Sequence, residues 1–201
     1  MALEKIKICN FKGFNGLFEL KMKRGLNILV GNNEVGKSTI LEAIHLVLTG
    51  FYAGRNIRNE LSQYLFNNEV VAKYIESING GHPLQPPSVM IEIYFDGSID
   101  PEFEGNGNTN HEKFEGIQFK IAYNDKYNEE YQKVVKAKNL SSLPIEYYEA
   151  TWTSFARIPI TIRSIPLKSA MIDSSSYRYQ NGSDVYISRI VKDLLSPEEV
   201  T

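Results

Sequence analysis

Gly31-Asn32-Asn33-Glu34-Val35-Gly36-Lys37-Ser38-Thr39 sets two glycines around a four-residue loop and follows them with a lysine and two hydroxyls. This is the G-x-x-x-x-G-K-[ST] spacing that cradles phosphate. Glycine makes up about 7% of ordinary sequence, so the four fixed positions coincide by chance in roughly one chain in a hundred of this length. The surroundings must therefore decide. Gly31 and Gly36 let the loop curl so that successive N–H groups point inward as a nest. A helix starting at Lys37 offers further unpaired N–H groups and the positive end of its dipole. Lys37 is expected to reach the β- and γ-phosphates, Ser38 to ligate Mg²⁺ and Thr39 to support the first turn. The candidate nucleotide site is thus Gly31, Asn32, Asn33, Glu34, Val35, Gly36, Lys37, Ser38 and Thr39, with ATP and Mg²⁺ as cofactors. Glu34 is a mild anomaly, because a carboxylate close to a triphosphate repels it.

The flanking elements suit that chemistry. Leu26 to Val30 is a short, mostly apolar run that leads straight into Gly31 and reads as a buried strand. Ile40, Leu41, Ile44, Leu46, Val47 and Leu48 recur at helical spacing from about Lys37, with Gly50 as a stop. Upstream, Lys5–Phe11 and Phe18–Met22 alternate as an antiparallel pair, with Gly13 free to take positive φ in the turn. Downstream, a helix is expected over Arg58–Ile78 and strands over Ser88–Phe95, Phe114–Tyr123 and Glu130–Lys136. Glu92 in the middle of Ser88–Phe95 predicts a half-exposed antiparallel strand. Asp96 to His111 is rich in Gly and Asn and reads as an exposed, mobile loop. Ile145–Phe155 is aromatic and ambiguous, and Ser188–Leu195 reads as the start of a helix.

The composition excludes several classes. Lys plus Arg number 22 against 24 Asp plus Glu, so no global field draws the chain to nucleic acid. Cys9 is the only cysteine, so no intrachain disulfide can form. No run reaches the roughly 18–20 apolar residues that span a bilayer, and the expected location is cytoplasmic. His45, His82 and His111 lack metal-ligand spacing. Asp96 is the local candidate for a second metal carboxylate, but the alternating strand before it reads better as one ending at a turn. Asp100, Glu102 and Glu104 read as solvated charges in the loop. No catalytic residue is assigned.

Ile6-Lys7-Ile8-Cys9-Asn10-Phe11-Lys12-Gly13-Phe14, followed by Leu26 through Ile44, resembles the opening of SMC/RecF-type ABC ATPases, and within that group the OLD-family ATP-dependent endonucleases. Those proteins open with I-x-N-F-[RK]-x-[FL] and continue to N-x-[IL]-x-G-x-N-x-x-G-K-S-x-[IL]-x-[DE]-A-[IL]. The specific motifs cover about the first quarter of the chain. The resemblance implies an α/β P-loop NTPase fold, here the N-terminal lobe of an ABC ATPase head with mixed and antiparallel strands over 1–201, incomplete in itself. The signature segment, the Walker B strand and a Toprim nuclease domain would lie downstream. It gives Lys12 a place near the nucleotide phosphates, with a solvated turn lysine as the equal alternative. Gln118, Gln132 and Gln180 remain open as the metal-sensing glutamine. The implied function is ATP binding for a DNA endonuclease that pairs as a homo-oligomer and reaches DNA through the full-length protein, with an accessory protein as a further partner. The alternatives are an SMC/RecF-like ATPase without a nuclease, in DNA repair or signalling, and a self-contained small NTPase using Asp96.

Overall fold

The structure is a computed structural model that describes residues 2–33, 35–97 and 100–171. The expected helix at 188–195 lies outside the described residues, as does Gln180. The compact unit runs to Lys168.

Its centre is an antiparallel sheet. β1 (Ala2–Cys9) lies between β2 (Leu17–Lys21) and β5 (Val89–Asp96), and β5 pairs in turn with β7 (Phe114–Tyr123). β8 (Tyr148–Ser154) and the short β6 (Glu104–Gly105) both pair with β7. A separate ribbon joins β3 (Phe51–Tyr52) to β4 (Arg55–Asn56). The helices are α1 (Lys37–Thr49), α2 (Asn68–Asn79) and α3 (Asn128–Lys136).

Strand alternation sorts the two sheet faces. The register Ile8↔Ile91↔Phe119↔Trp152 runs across four strands, and all four side chains are buried. With Ile6, Ile93, Ile117 and Ile121 they make the apolar face of the core, which is shared with Ile40, Ala43, Leu46 and Val47 of α1. Trp152 Nε1 donates to the Val47 carbonyl at 3.0 Å and so satisfies the indole while fixing α1 on the sheet.

The other face carries Lys7, Glu92 and Gln118 in register. It was expected to be half exposed, yet Glu92 has 0% exposure. The segment after β6 crosses over it. Glu92 Oε1 accepts from the Thr109 N–H (2.8 Å) and Gln118 Nε2 (3.0 Å), and Oε2 accepts from Thr109 Oγ1 (2.8 Å) and Tyr94 Oη (2.7 Å). Lys7 Nζ donates to Thr109 Oγ1 at 2.8 Å and Asn110 Oδ1 at 2.5 Å. Four acceptances fill the lone pairs of a carboxylate that would otherwise be very costly to bury. The loop expected to be exposed and mobile over 96–111 is therefore a strap, with Phe103 and Asn108 buried. Asp100 caps the turn at Pro101–Phe103 by accepting from the Glu102 N–H, and Glu104 pairs with Lys113 at 2.6 Å.

Three further expectations are corrected. Leu26–Val30 forms no strand among the described residues, and Leu26, Ile28 and Val30 are 82%, 73% and 89% exposed. Glu130–Lys136 is helical in α3. Tyr131, Val134 and Val135 make an i, i+3, i+4 stripe, with Glu129 and Glu130 in the first turn and Lys133 and Lys136 in the last, which suits the helix dipole. The helix expected from Arg58 begins only at Asn68. The backbone just before it is committed to the β1–β2 turn, where Lys12 N–H donates to Leu65 O at 3.0 Å and Asn67 N–H to Asn10 O at 2.8 Å. Asn67 then caps α2 by accepting from the Glu69 and Val70 N–H groups.

Candidate nucleotide site

α1 begins at Lys37 with no side-chain cap and no acidic residue in its first turn. Gly36 is the N-cap at φ 91° and ψ 10°, a left-handed conformation that favours glycine. The first helical hydrogen bond runs from the Ile40 N–H to Gly36 O at 3.0 Å. The N–H groups of the first turn thus have no side-chain acceptor, which is the condition for binding an anion. Lys37 Nζ lies 2.7 Å from Gly31 O and 2.5 Å from Asn32 O, so the lysine closes the loop on itself. Ser38 is exposed at the mouth of the helix.

A cleft of about 460 Å³ opens here, lined by Gly13, Phe14, Asn33, Val35, Gly36, Lys37, Ser38 and Thr39. Of the residues expected from sequence, Asn33 and Val35–Thr39 line it, and Gly31 and Asn32 hold the lysine. Glu34 lies outside the described residues. Sequence reasoning missed Phe14. Its ring rests on Gly36, where an added Cβ would stand 3.0 Å from Cζ, and it packs on Phe18 with centroids 4.6 Å apart. Only its place in the [FL] position of the motif hinted at this.

Lys12 does not line the cleft. Its Nζ lies 2.5 Å from Glu42 Oε2 and 5.4 Å from the centroid of the Tyr52 ring. Burial alone would lower the lysine pKa, but hydrogen bonds to Glu42 and Tyr52 outweigh it and the pKa is raised. The turn takes positive φ at Asn10 (56°) and Lys12 (49°), and not at Gly13 as expected.

Asp96 is remote from the loop. It pairs with Ala2, at the opposite end of β1 from Cys9 and the turn. Seven strand steps of about 3.3 Å put it roughly 23 Å from that end. Its carboxylate is held by Arg24, whose hydrogen bond lowers the Asp96 pKa. Gln118 is committed to Glu92, and Gln132 lies in α3. Among the described residues there is no group of three or more His, Cys, Asp or Glu placed to hold a metal ion. The donors at the cleft suit Mg²⁺ in one respect, since Ser38 supplies a hard hydroxyl oxygen beside an anion site. Mg²⁺ bound there would keep most of its waters.

A glycine-capped helix, a lysine at its first position and the cleft in front of them make the P-loop arrangement of an α/β NTPase-like fold. The AAA domain family matches residues 5–162, and the chain belongs to that family. The chain is 38% identical over 69 residues to the DNA replication and repair protein RecF of Shewanella sp. (strain MR-4), which covers 34% of this chain and 18% of RecF. It is 30% identical over 107 residues to the chromosome partition protein Smc of Desulfitobacterium hafniense (strain Y51), 47% of this chain and 9% of Smc. The chain therefore matches less than a fifth of the length of each of these relatives. A solved chain from work on ATP-driven dimerization and DNA-stimulated activation of SMC ATPases covers 99% of this chain and 95% of its own length, at 20% identity and a TM-score of 0.45. The sequence likenesses are to ATPases of the SMC/RecF-like ABC group. Among the described residues, no helix is long and apolar enough to cross a membrane.

Proposed function

We propose that this chain is the ATP-binding lobe of an SMC/RecF-like ATPase that works on DNA in the cytoplasm. The observation that carries the reading is the uncapped start of α1, with Gly36 left-handed and Lys37 at the mouth of the cleft. Gly31, Asn32, Asn33, Glu34, Val35, Gly36, Lys37, Ser38 and Thr39 are the proposed nucleotide contacts. The backbone N–H groups of the loop and first turn take the phosphate oxygens, and Lys37 exchanges two carbonyls for phosphate. Mg²⁺ held by Ser38 would neutralise charge on the β- and γ-phosphates.

Leu26, Ile28 and Val30 stand exposed immediately before the loop. An exposed apolar row of this kind supports a head that is completed by further polypeptide. Pairing of two such heads as a homo-oligomer, and any accessory protein, belong to the same proposal. The names of RecF and Smc support a role in DNA repair or chromosome maintenance. The finer reading, an OLD-family endonuclease with a Toprim domain, rests on the resemblance in the loop and the first turn, and neither relative named above is described as a nuclease.

Calorimetric titration with ATP and Mg²⁺ tests the reading. Wild type binds, and Lys37→Ala weakens binding about tenfold to a hundredfold, the weight of hydrogen bonds to a charged group. Equal affinities would remove the loop from the account. Among the described residues, those lining the cleft include no acid that could orient water. Phosphate release by the chain alone is therefore expected to stay below about 1 per second, the low end of ordinary enzymes.

A further inference from the structure

We propose that Lys12 and Glu42 are positioning residues, which hold the β1–β2 turn on α1 and thereby set the wall of the nucleotide cleft, and that Lys12 is not a phosphate ligand. This rests on the nucleotide-binding reading above.

The turn is made of unfavourable backbone. Asn10 and Lys12 both sit in the left-handed region without being glycine, and such residues stay there only when their surroundings hold them. The main chain of Lys12 is held from the α2 side, through its N–H to Leu65 O (3.0 Å) and its carbonyl from Asn67 Nδ2 (2.8 Å). Those bonds leave the side chain to reach α1, which it does through Glu42. The next two residues, Gly13 and Phe14, enter the cleft. Phe14 then presses on the Cα of Gly36. Turn and helix are thus joined twice, by a charge pair further along α1 and by an aromatic ring at its N-cap.

The position of the charge argues against phosphate contact. Glu42 comes five residues after Lys37 in α1, about 7.5 Å further along the axis from the N–H groups that bind an anion. An ammonium held there faces the flank of the helix. It is also not a free solvated turn lysine, since it is half-buried and paired at 2.5 Å.

Charge reversal separates the two roles. The variants are Lys12→Glu, Glu42→Lys and the double reversal, with ATP·Mg²⁺ affinity measured by calorimetry on the full chain. Each single reversal is expected to weaken binding by about tenfold, the scale of one charge-assisted hydrogen bond. The double reversal should return to within about threefold of wild type, the ordinary error of additivity. A phosphate-contacting Lys12 predicts the opposite, with the double variant binding no better than Lys12→Glu. That result, or single variants with wild-type affinity, overturns the proposal. Phe14→Trp in each background supplies a reading that needs no nucleotide. Its emission should shift in the single reversals and return in the double, and an emission that ignores the pair also overturns the proposal. Thermal unfolding of every variant identifies any that fail to fold, and Lys12→Met then replaces the reversal. If wild type binds no ATP the functional reading fails, and the tryptophan emission still judges the pin.

Discussion

Leu26, Ile28 and Val30 stand in solvent, with only Leu29 between them packed on the core, whereas β5 carries a carboxylate that never meets water. By composition the two segments should have changed places. What separates them is the company each keeps. β5 has β1 on one edge and β7 on the other, the helix-side core on one face and the strap on its other face. Leu26–Val30 has no ladder partner among the described residues. An extended segment is buried by what is laid across it, and a side chain of either polarity can follow if its needs are met.

The comparison can be broken in three places. The largest effect is expected at Glu92. Glu92→Ala leaves the Thr109, Gln118 and Tyr94 donors buried without their shared acceptor, which should cost roughly 3–5 kcal/mol at about 1–3 kcal/mol for each buried donor left unsatisfied. At about 2–4 °C per kcal/mol for a chain of this size, the melting temperature falls by at least about 6 °C. A loss under about 1 kcal/mol in chemical denaturation would mean that the strap does not hold β5 inside. Next comes Gly105, whose added Cβ would overlap the Phe155 carbonyl. Gly105→Ala forces the strap away from that corner and should cost about 1–3 kcal/mol, as overpacking does. Protection of the Thr109 amide in hydrogen exchange should fall with it. The smallest effect is expected in the exposed segment. Ile28→Thr should change stability by no more than about 0.5 kcal/mol, the range of surface substitutions. A larger loss by denaturant titration would show that the isoleucine is packed in solution.

The parts legible in sequence were those fixed by local physics. Gly36, Lys37 and the apolar stripe of α1 lie within a few turns of one another, so spacing alone placed the helix and its cap. β1, β5 and β7 were visible as alternating runs. The corrections share a cause, since each depends on a distant contact. Asn108, Thr109 and Asn110 carry loop chemistry, and only the register of Glu92 some 17 residues upstream of Thr109 turns them into a strap. The delayed start of α2 is set by the main chain of residues 10–12. Phe14 enters the cleft because Phe11 pairs with Phe66 and turns the chain there. α3 is the exception. Its i, i+3, i+4 stripe and its charged ends were present in the sequence, but adjacent valines favour a strand on propensity. The likeness to the SMC/RecF group was likewise readable, because the motifs at Ile6–Phe14 and Gly31–Thr39 are short and contiguous.

Leu26–Val30 is also fastened at both ends. Before it, the Met22 N–H donates to Glu4 O at 2.7 Å, Arg24 clasps Asp96, and the Asn27 side chain closes a small loop on the Lys23 main chain at 2.8 Å in each direction. After it, the Lys37 ammonium ties Gly31 and Asn32 to α1. The exposed ion pair contributes little to stability, and its consequence is entropic. Ordering a free strand would cost about 1–2 kcal/mol for each residue fixed. With both anchors in place, part of that loss is incurred when the chain folds. In the proposed assembly, polypeptide docking here would meet a segment whose ends are already held, and association would be easier by the part of the ordering cost that no longer has to be met on docking.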